Sequence, residues 1–133
     1  MSTNLKILIV DDFSTMRRII RNLLLELGYP NTGIQEADDG STALPLLKSQ
    51  SFDLLITDWN MPIMTGIDLL REVRNTPSLK SLPVLMVTAE NSREQIIDAA
   101  KAGVNGYIIK PFTAVTLKEK LDKIFERLAA QGS

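Results

Sequence analysis

The chain has 133 residues and a net charge of −1, which suits one domain and leaves no basic footprint for nucleic acid. It contains neither cysteine nor histidine. Disulfides, thiolate metal sites and the commonest general base are thereby excluded, and any bound ion must be held by oxygen, as magnesium, calcium or manganese can be. The apolar run from Ile7 to Val10 is too short for a signal peptide and enters Asp11 directly, and no stretch is long and apolar enough to span a bilayer. The expected address is a bacterial-type cytosol, without membrane insertion.

In chain order, short apolar runs alternate with stretches of helical period. "KILIV" (6–10) reads as the first strand and ends in Asp11 and Asp12. Met16, Ile19, Ile20, Leu23, Leu24 and Leu27 then form one stripe, predicting a helix capped by Ser14 and ended at Gly28. "GIQEA" (33–37) is the second strand; Gln35 and Glu36 make it polar enough for a sheet edge, and Asp38 and Asp39 after it read as turn formers. In the second helix Pro45 would remove a needed donor if Ser41 were the cap, so the spacing predicts a later start with Thr42 as cap. "DLLITD" (53–58) is a third strand that finishes on Asp58, and the helix after it should begin near Thr65 and bury Ile67, Leu70 and Val73. "PVLMVTA" (83–89) follows, then a helix opened by a Ser92–Gln95 capping box and closed by Gly103. "GYIIK" (106–110) precedes Pro111, and Leu117, Leu121, Ile124 and Leu128 mark a last helix capped by Thr113.

Five strands alternating with five helices imply an α/β doubly wound parallel sheet, and right-handed crossovers favour the flavodoxin-like order 2-1-3-4-5. A single domain over 1–133 with a core of about 6–128 is expected. Ligands in such sheets bind beyond the carboxyl ends of the strands. Asp11 and Asp12, Asp58, Thr88 and Lys110 stand at those ends on four adjacent strands. Singly, each has a plainer reading: a helix cap for an aspartate, packing for Thr88, a solvated surface for Lys110. Together they read as one site. Two like charges about 4 Å apart repel by about 4 kcal/mol at an effective dielectric near 20, so three acids facing one lysine call for a divalent cation. Magnesium, which keeps waters and shares phosphate oxygens, suits a phosphoryl site in which Lys110 and Thr88 hold phosphoryl oxygens.

"ILIVDD", "LLITDWNMPIMTG", "LPVLMVTA" and "GYIIKPF" resemble the receiver domains of two-component response regulators. "DDFSTMRRIIRNLLLELG", "DWNMP" and "FTAVTLKEKLDKIFERL" look closest to the chemotaxis regulators of the CheY family, and the likeness runs from about Lys6 to Leu128. The resemblance implies that Asp58 is the phosphoacceptor, taking a phosphoryl group from a histidine of a partner kinase. It implies a Mg2+ cofactor bound by Asp12 and Asp58, by the Asn60 carbonyl and, mainly through water, by Asp11. Thr88 and Lys110 would contact the phosphoryl oxygens, the Lys110–Pro111 peptide would be cis, and Asn60 and Glu90 would tune how water attacks the acyl phosphate. Thr88 and Tyr107 would form the switch, and the output face would be helix 4, strand 5 and helix 5, including Ile96, Tyr107, Lys120 and Lys123. Thr65 departs from the family's frequent aspartate, but both residue types can cap.

The implied function is a stand-alone phosphoacceptor, itself not an enzyme and monomeric. Its partners would be a histidine kinase, the flagellar motor switch or another protein target, and a phosphatase. A phosphorelay shuttle passing the group to another histidine is the nearest alternative. A flavodoxin-like small-molecule binder is remote: it would need a Ser-, Thr- and Gly-rich loop after the first strand, where this chain has Asp11, Asp12 and Phe13. A metal-dependent phosphatase is equally remote, because a second acid is missing beside Asp58.

Overall fold

A computed structural model of the chain describes residues 5–89 and 92–132. The elements run β1 (Ile7–Val10), α1 (Ser14–Glu26), β2 (Ile34–Ala37), α2 (Gly40–Ser49), β3 (Leu54–Asp58), α3 (Gly66–Asn75), β4 (Val84–Thr88), α4 (Arg93–Ala102), β5 (Gly106–Ile109) and α5 (Ala114–Gly132). All strand pairs are parallel, in the order β2-β1-β3-β4-β5, as the alternation of strands and helices predicts. Each strand lies within one residue of its predicted bounds.

Every residue of β1, β3 and β4 is buried, because helices cover both faces of the sheet. Alternate residues face opposite layers. Leu8, Val10, Leu55, Val84 and Met86 pack with Ala43 and Leu47 of α2, Ile67, Leu70 and Val73 of α3, and Ala99 of α4. Ile7, Ile9, Leu54, Ile56, Leu85 and Val87 pack with Ile20 and Leu24 of α1 and with Leu117, Leu121 and Ile124 of α5. Gly28, at φ 100°, ends α1, where Tyr29 N–H reaches Leu24 O and Gly28 N–H reaches Leu25 O. Gly103, at φ 90°, closes α4 in the same way. Arg74 of α3 straps this end of α4 to the sheet: its guanidinium donates to Gly103 O, Leu82 O, Lys80 O and Asn105 Oδ1.

Several local expectations change. Ser14 is the first residue of α1 and not its cap; Phe13 takes the cap position without a side-chain bond. Ile19 is exposed, so the buried stripe of α1 narrows to Ile20 and Leu24, with Met16, Leu23 and Leu27 partly covered. The second helix starts earlier than predicted, not later. Asp39 is its cap: the buried carboxylate accepts from Ser41 and Thr42 N–H, and Thr42 Oγ1 accepts from Asp39 N–H. This reciprocal pair outweighs the defect it leaves, which is Pro45 inside the helix, where the Ser41 carbonyl loses its helical donor. At α4 only half of the capping box forms: Ser92 Oγ accepts from Gln95 N–H at 3.0 Å, while Gln95 Oε1 has no partner among the described residues. Thr65 and Thr113 cap as predicted, accepting from Asp68 and Thr116 N–H.

Candidate functional site

Register builds the site. Val10 of β1 lies opposite Thr57 of β3, so the next residues, Asp11 and Asp58, leave the sheet side by side. Thr88 ends β4 opposite Ile109 of β5, and the following Lys110 N–H donates to Thr88 O at 2.8 Å. The Lys110–Pro111 peptide is cis. Carboxylate oxygens of Asp11, Asp12 and Asp58 all lie within 4.8 Å of one another. Lys110 Nζ stands 3.1 Å from Asp58 Oδ1 and 3.4 Å from Asp11 Oδ2.

The three acids are held differently. Asp11 is buried, and both its oxygens have protein donors, Phe13 N–H on Oδ1 and Lys110 on Oδ2. Asp12 is exposed, and its side chain makes no hydrogen bond or ion pair among the described residues. Asp58 is buried at the end of β3. Burial and then the charge of Asp11 push its carboxyl above the ordinary aspartate range, while Lys110 and the Trp59 backbone oppose the rise. A purely oxygen donor set with more negative than positive charge fits a hard divalent cation.

The loop after Asp58 is tied down at both ends. Trp59 N–H donates to Val87 O at 3.0 Å, and Gly66 N–H donates to Trp59 O at 2.9 Å. Gly66 must be glycine for this approach, since a Cβ there would lie 2.0 Å from Asp58 O. The Trp59 ring is buried, Asn60 is exposed, and the loop turns at Ile63, whose φ of 68° lies in the region L side chains rarely adopt.

Thr88 is fully buried beside this pocket, and Tyr107 on β5 is half-buried against the apolar cluster that includes α3 and α4. Ile96 on α4 and Lys123 on α5 are exposed, outside the acidic pocket. Lys120 is half-buried and lines a shallow cavity of about 300 Å³ with Tyr107 and Phe112. Glu90 lies outside the described residues.

Against known proteins, the response regulator receiver domain family matches residues 7–122. The chain belongs to this family. The receiver is 71% identical over 128 residues to the chemotaxis protein CheY-3 of Vibrio cholerae, covering 96% of this chain and 97% of that protein. It is 72% identical over 124 residues to the chemotaxis protein CheY of Pseudomonas aeruginosa, covering 93% and 98%. Among solved structures it resembles the receiver domain of a sensor histidine kinase from P. aeruginosa PAO1, with TM-score 0.79, 26% identity and coverage of 91% and 98%. That structure has a magnesium ion coordinated in its active-site cleft.

Two residues that shape the receiver's pocket escaped the sequence reading. Gly66 carries no signal apart from its place after a capping threonine. Arg17 sits among the apolar residues of α1, yet its Nη1 donates to the Asp11 carbonyl at 2.6 Å. A charged residue near the sheet-facing stripe was the one available hint.

Proposed function

We propose that the receiver is a chemotaxis-type response regulator in which Asp58 accepts a phosphoryl group from a phosphohistidine of a partner kinase. The observation carrying this is the convergence of three carboxylates within 4.8 Å of one another, with Lys110 Nζ 3.1 Å from the Asp58 oxygen. An Asp58 oxygen forms the new P–O bond as the P–N bond to the partner's imidazole breaks, and the electron pair stays on the departing ring. Asp58 acts as a carboxylate and needs no general base, which suits a chain without histidine.

Phosphoryl transfer passes through a loose transition state, so the protein's task is alignment and charge stabilisation. Magnesium would be held by Asp12, Asp58 and the Asn60 carbonyl, with Asp11 acting through water; when bound it supplies positive charge beside the phosphoryl oxygens. Lys110 and the Thr88 hydroxyl take the other phosphoryl oxygens. Asn60 and Glu90 tune the attack of water on the acyl phosphate. The Thr88 contact draws the end of β4 toward the phosphoryl group, and Tyr107 and the α4–β5–α5 face, including Ile96, Lys120 and Lys123, report the change to a protein partner such as the flagellar motor switch. The 71% and 72% identity to two chemotaxis proteins supports this partner class over a shuttle.

Incubation with acetyl phosphate and magnesium, followed by intact mass, should add one phosphoryl group to the wild type and none to Asp58→Asn. A phosphoryl gain in Asp58→Asn would overturn the acceptor assignment. Phosphorylation should also strengthen binding to a motor-switch peptide; unchanged binding would remove the chemotaxis reading and leave the shuttle.

A further inference from the structure

We propose that Arg17 is a positioning residue for the cation-binding loop, fixing the peptide that carries Asp12. The guanidinium spans two strands. Its Nε donates to Glu36 Oε1 on β2 at 2.9 Å, and its Nη1 donates to the Asp11 carbonyl at the end of β1 at 2.6 Å. Asp11 is pinned on its other side by its N–H, which reaches Ala37 O at 3.2 Å.

The Asp11 carbonyl and the Asp12 N–H share one rigid peptide plane. Orienting that carbonyl therefore orients Asp12, whose own side chain makes no polar contact among the described residues. The Asp12 carboxylate is the least restrained of the three acids, so its placement depends on the backbone beneath it. Arg17 supplies the restraint, and Glu36 holds Arg17 in place. Glu36 also accepts from Arg21 Nε at 2.8 Å. Arg21 spends its remaining donors on the Ile34 carbonyl and Asn31, so it braces the same acid without touching the loop.

Charge and position predict opposite signs. A cation close to a metal site repels the metal, so on electrostatics alone removing Arg17 should tighten magnesium binding. If Arg17 positions the loop, removing it should weaken binding despite the relief of charge. Lysine keeps the charge but cannot bridge two acceptors with a planar fork.

The proposal rests on the magnesium reading of the Asp11–Asp12–Asp58 pocket. The test is magnesium titration of the full chain by Trp59 fluorescence, with the magnesium-induced rise in thermal midpoint as a second readout. Arg17→Met and Arg17→Lys should both lose about tenfold in affinity, the scale typical of groups that orient metal ligands. The loss should persist at 1 M salt, where charge effects are screened beyond about 3 Å. Arg21→Met should lower the midpoint of the metal-free protein yet leave magnesium affinity nearly unchanged. Wild-type affinity or tighter binding in Arg17→Met overturns the proposal. So does an equal loss in Arg21→Met, which would mean general loosening around β2. If Arg17→Met fails to fold, Arg17→Lys decides: weakened binding supports positioning and wild-type binding refutes it. Wild-type protein without any magnesium response refutes the metal reading itself, and the proposal with it.

Discussion

Gly66→Ala sets two magnitudes against each other. As the first residue of α3, alanine should be favoured by intrinsic helix propensity, by up to about 1 kcal/mol over glycine. The added methyl would lie 2.0 Å from Asp58 O, 2.9 Å from Asp58 C and 3.1 Å from Met86 Sδ. Ordinary carbon contacts lie at about 3.5 Å, so α3 and the Asp58 peptide must separate by more than about 1 Å. The two nearest obstructing atoms are backbone of β3, which is hydrogen-bonded between β1 and β4, so they cannot swing aside as the Met86 side chain could. Overpacking of this kind costs about 1–3 kcal/mol, and with backbone in the way the steric cost should win, leaving a net loss of up to about 2 kcal/mol after the full propensity gain. The displaced peptide carries Asp58, the proposed acceptor, and a misplacement of about 1 Å can cost up to 10²-fold in rate. Urea unfolding and acetyl phosphate labelling followed by mass measure the two effects. A variant as stable as the wild type and phosphorylated at the same rate would refute the close-approach reasoning.

Three further outcomes are expected. Burial first, and the Asp11 charge second, raise the Asp58 pKa in the folded state, so the folded protein holds that proton more tightly than the unfolded chain. The metal-free protein should therefore lose stability as pH rises through the folded pKa, and Asp58→Asn should flatten the loss and be the more stable at neutral pH; urea unfolding in EDTA across this range checks it, and parallel profiles would contradict it. Pro45→Ala should restore a donor to the Ser41 carbonyl and stabilise the protein by about 1–2 kcal/mol, less than the roughly 3 kcal/mol propensity difference because proline also restricts the unfolded chain. Arg74→Ala should remove donors from Gly103, Lys80 and Leu82 carbonyls, costing about 1–3 kcal/mol in thermal unfolding, with magnesium affinity retained because the strap lies apart from the acidic pocket.

The sheet was legible because its strands face two covered layers: "ILIV", "LLIT" and "VLMV" admit few other environments. The site followed from that register, since strand ends can be placed without knowing any side-chain contact. Caps were harder. Asp39, Ser41 and Thr42 are all good caps within four residues, and the choice went to the one whose carboxylate could accept two N–H groups and receive Thr42 in return. A proline rule applied alone pushed the start the wrong way. The bonds that Arg17 and Arg74 make to backbone carbonyls were out of reach, because a carbonyl is present at every position of any sequence. Ile19 shows the same limit from the apolar side: helical spacing defines a stripe, but the neighbouring helix decides how wide a stripe is covered.

Lys110 already contacts two of the pocket's carboxylates, yet three acids against one ammonium leave the cluster negative. An incoming phosphodonor is itself an anion. It meets net repulsion until a cation has entered, and it must also win Lys110 away from Asp11 and Asp58. On the proposed phosphoryl-transfer reading the reaction would have an ordered start, cation before donor, set by charge. On that reading the receiver should stay silent in metal-poor conditions however abundant a phosphodonor is, and Lys110, proposed to grip the phosphoryl group, would serve until then as a stopper against stray anions.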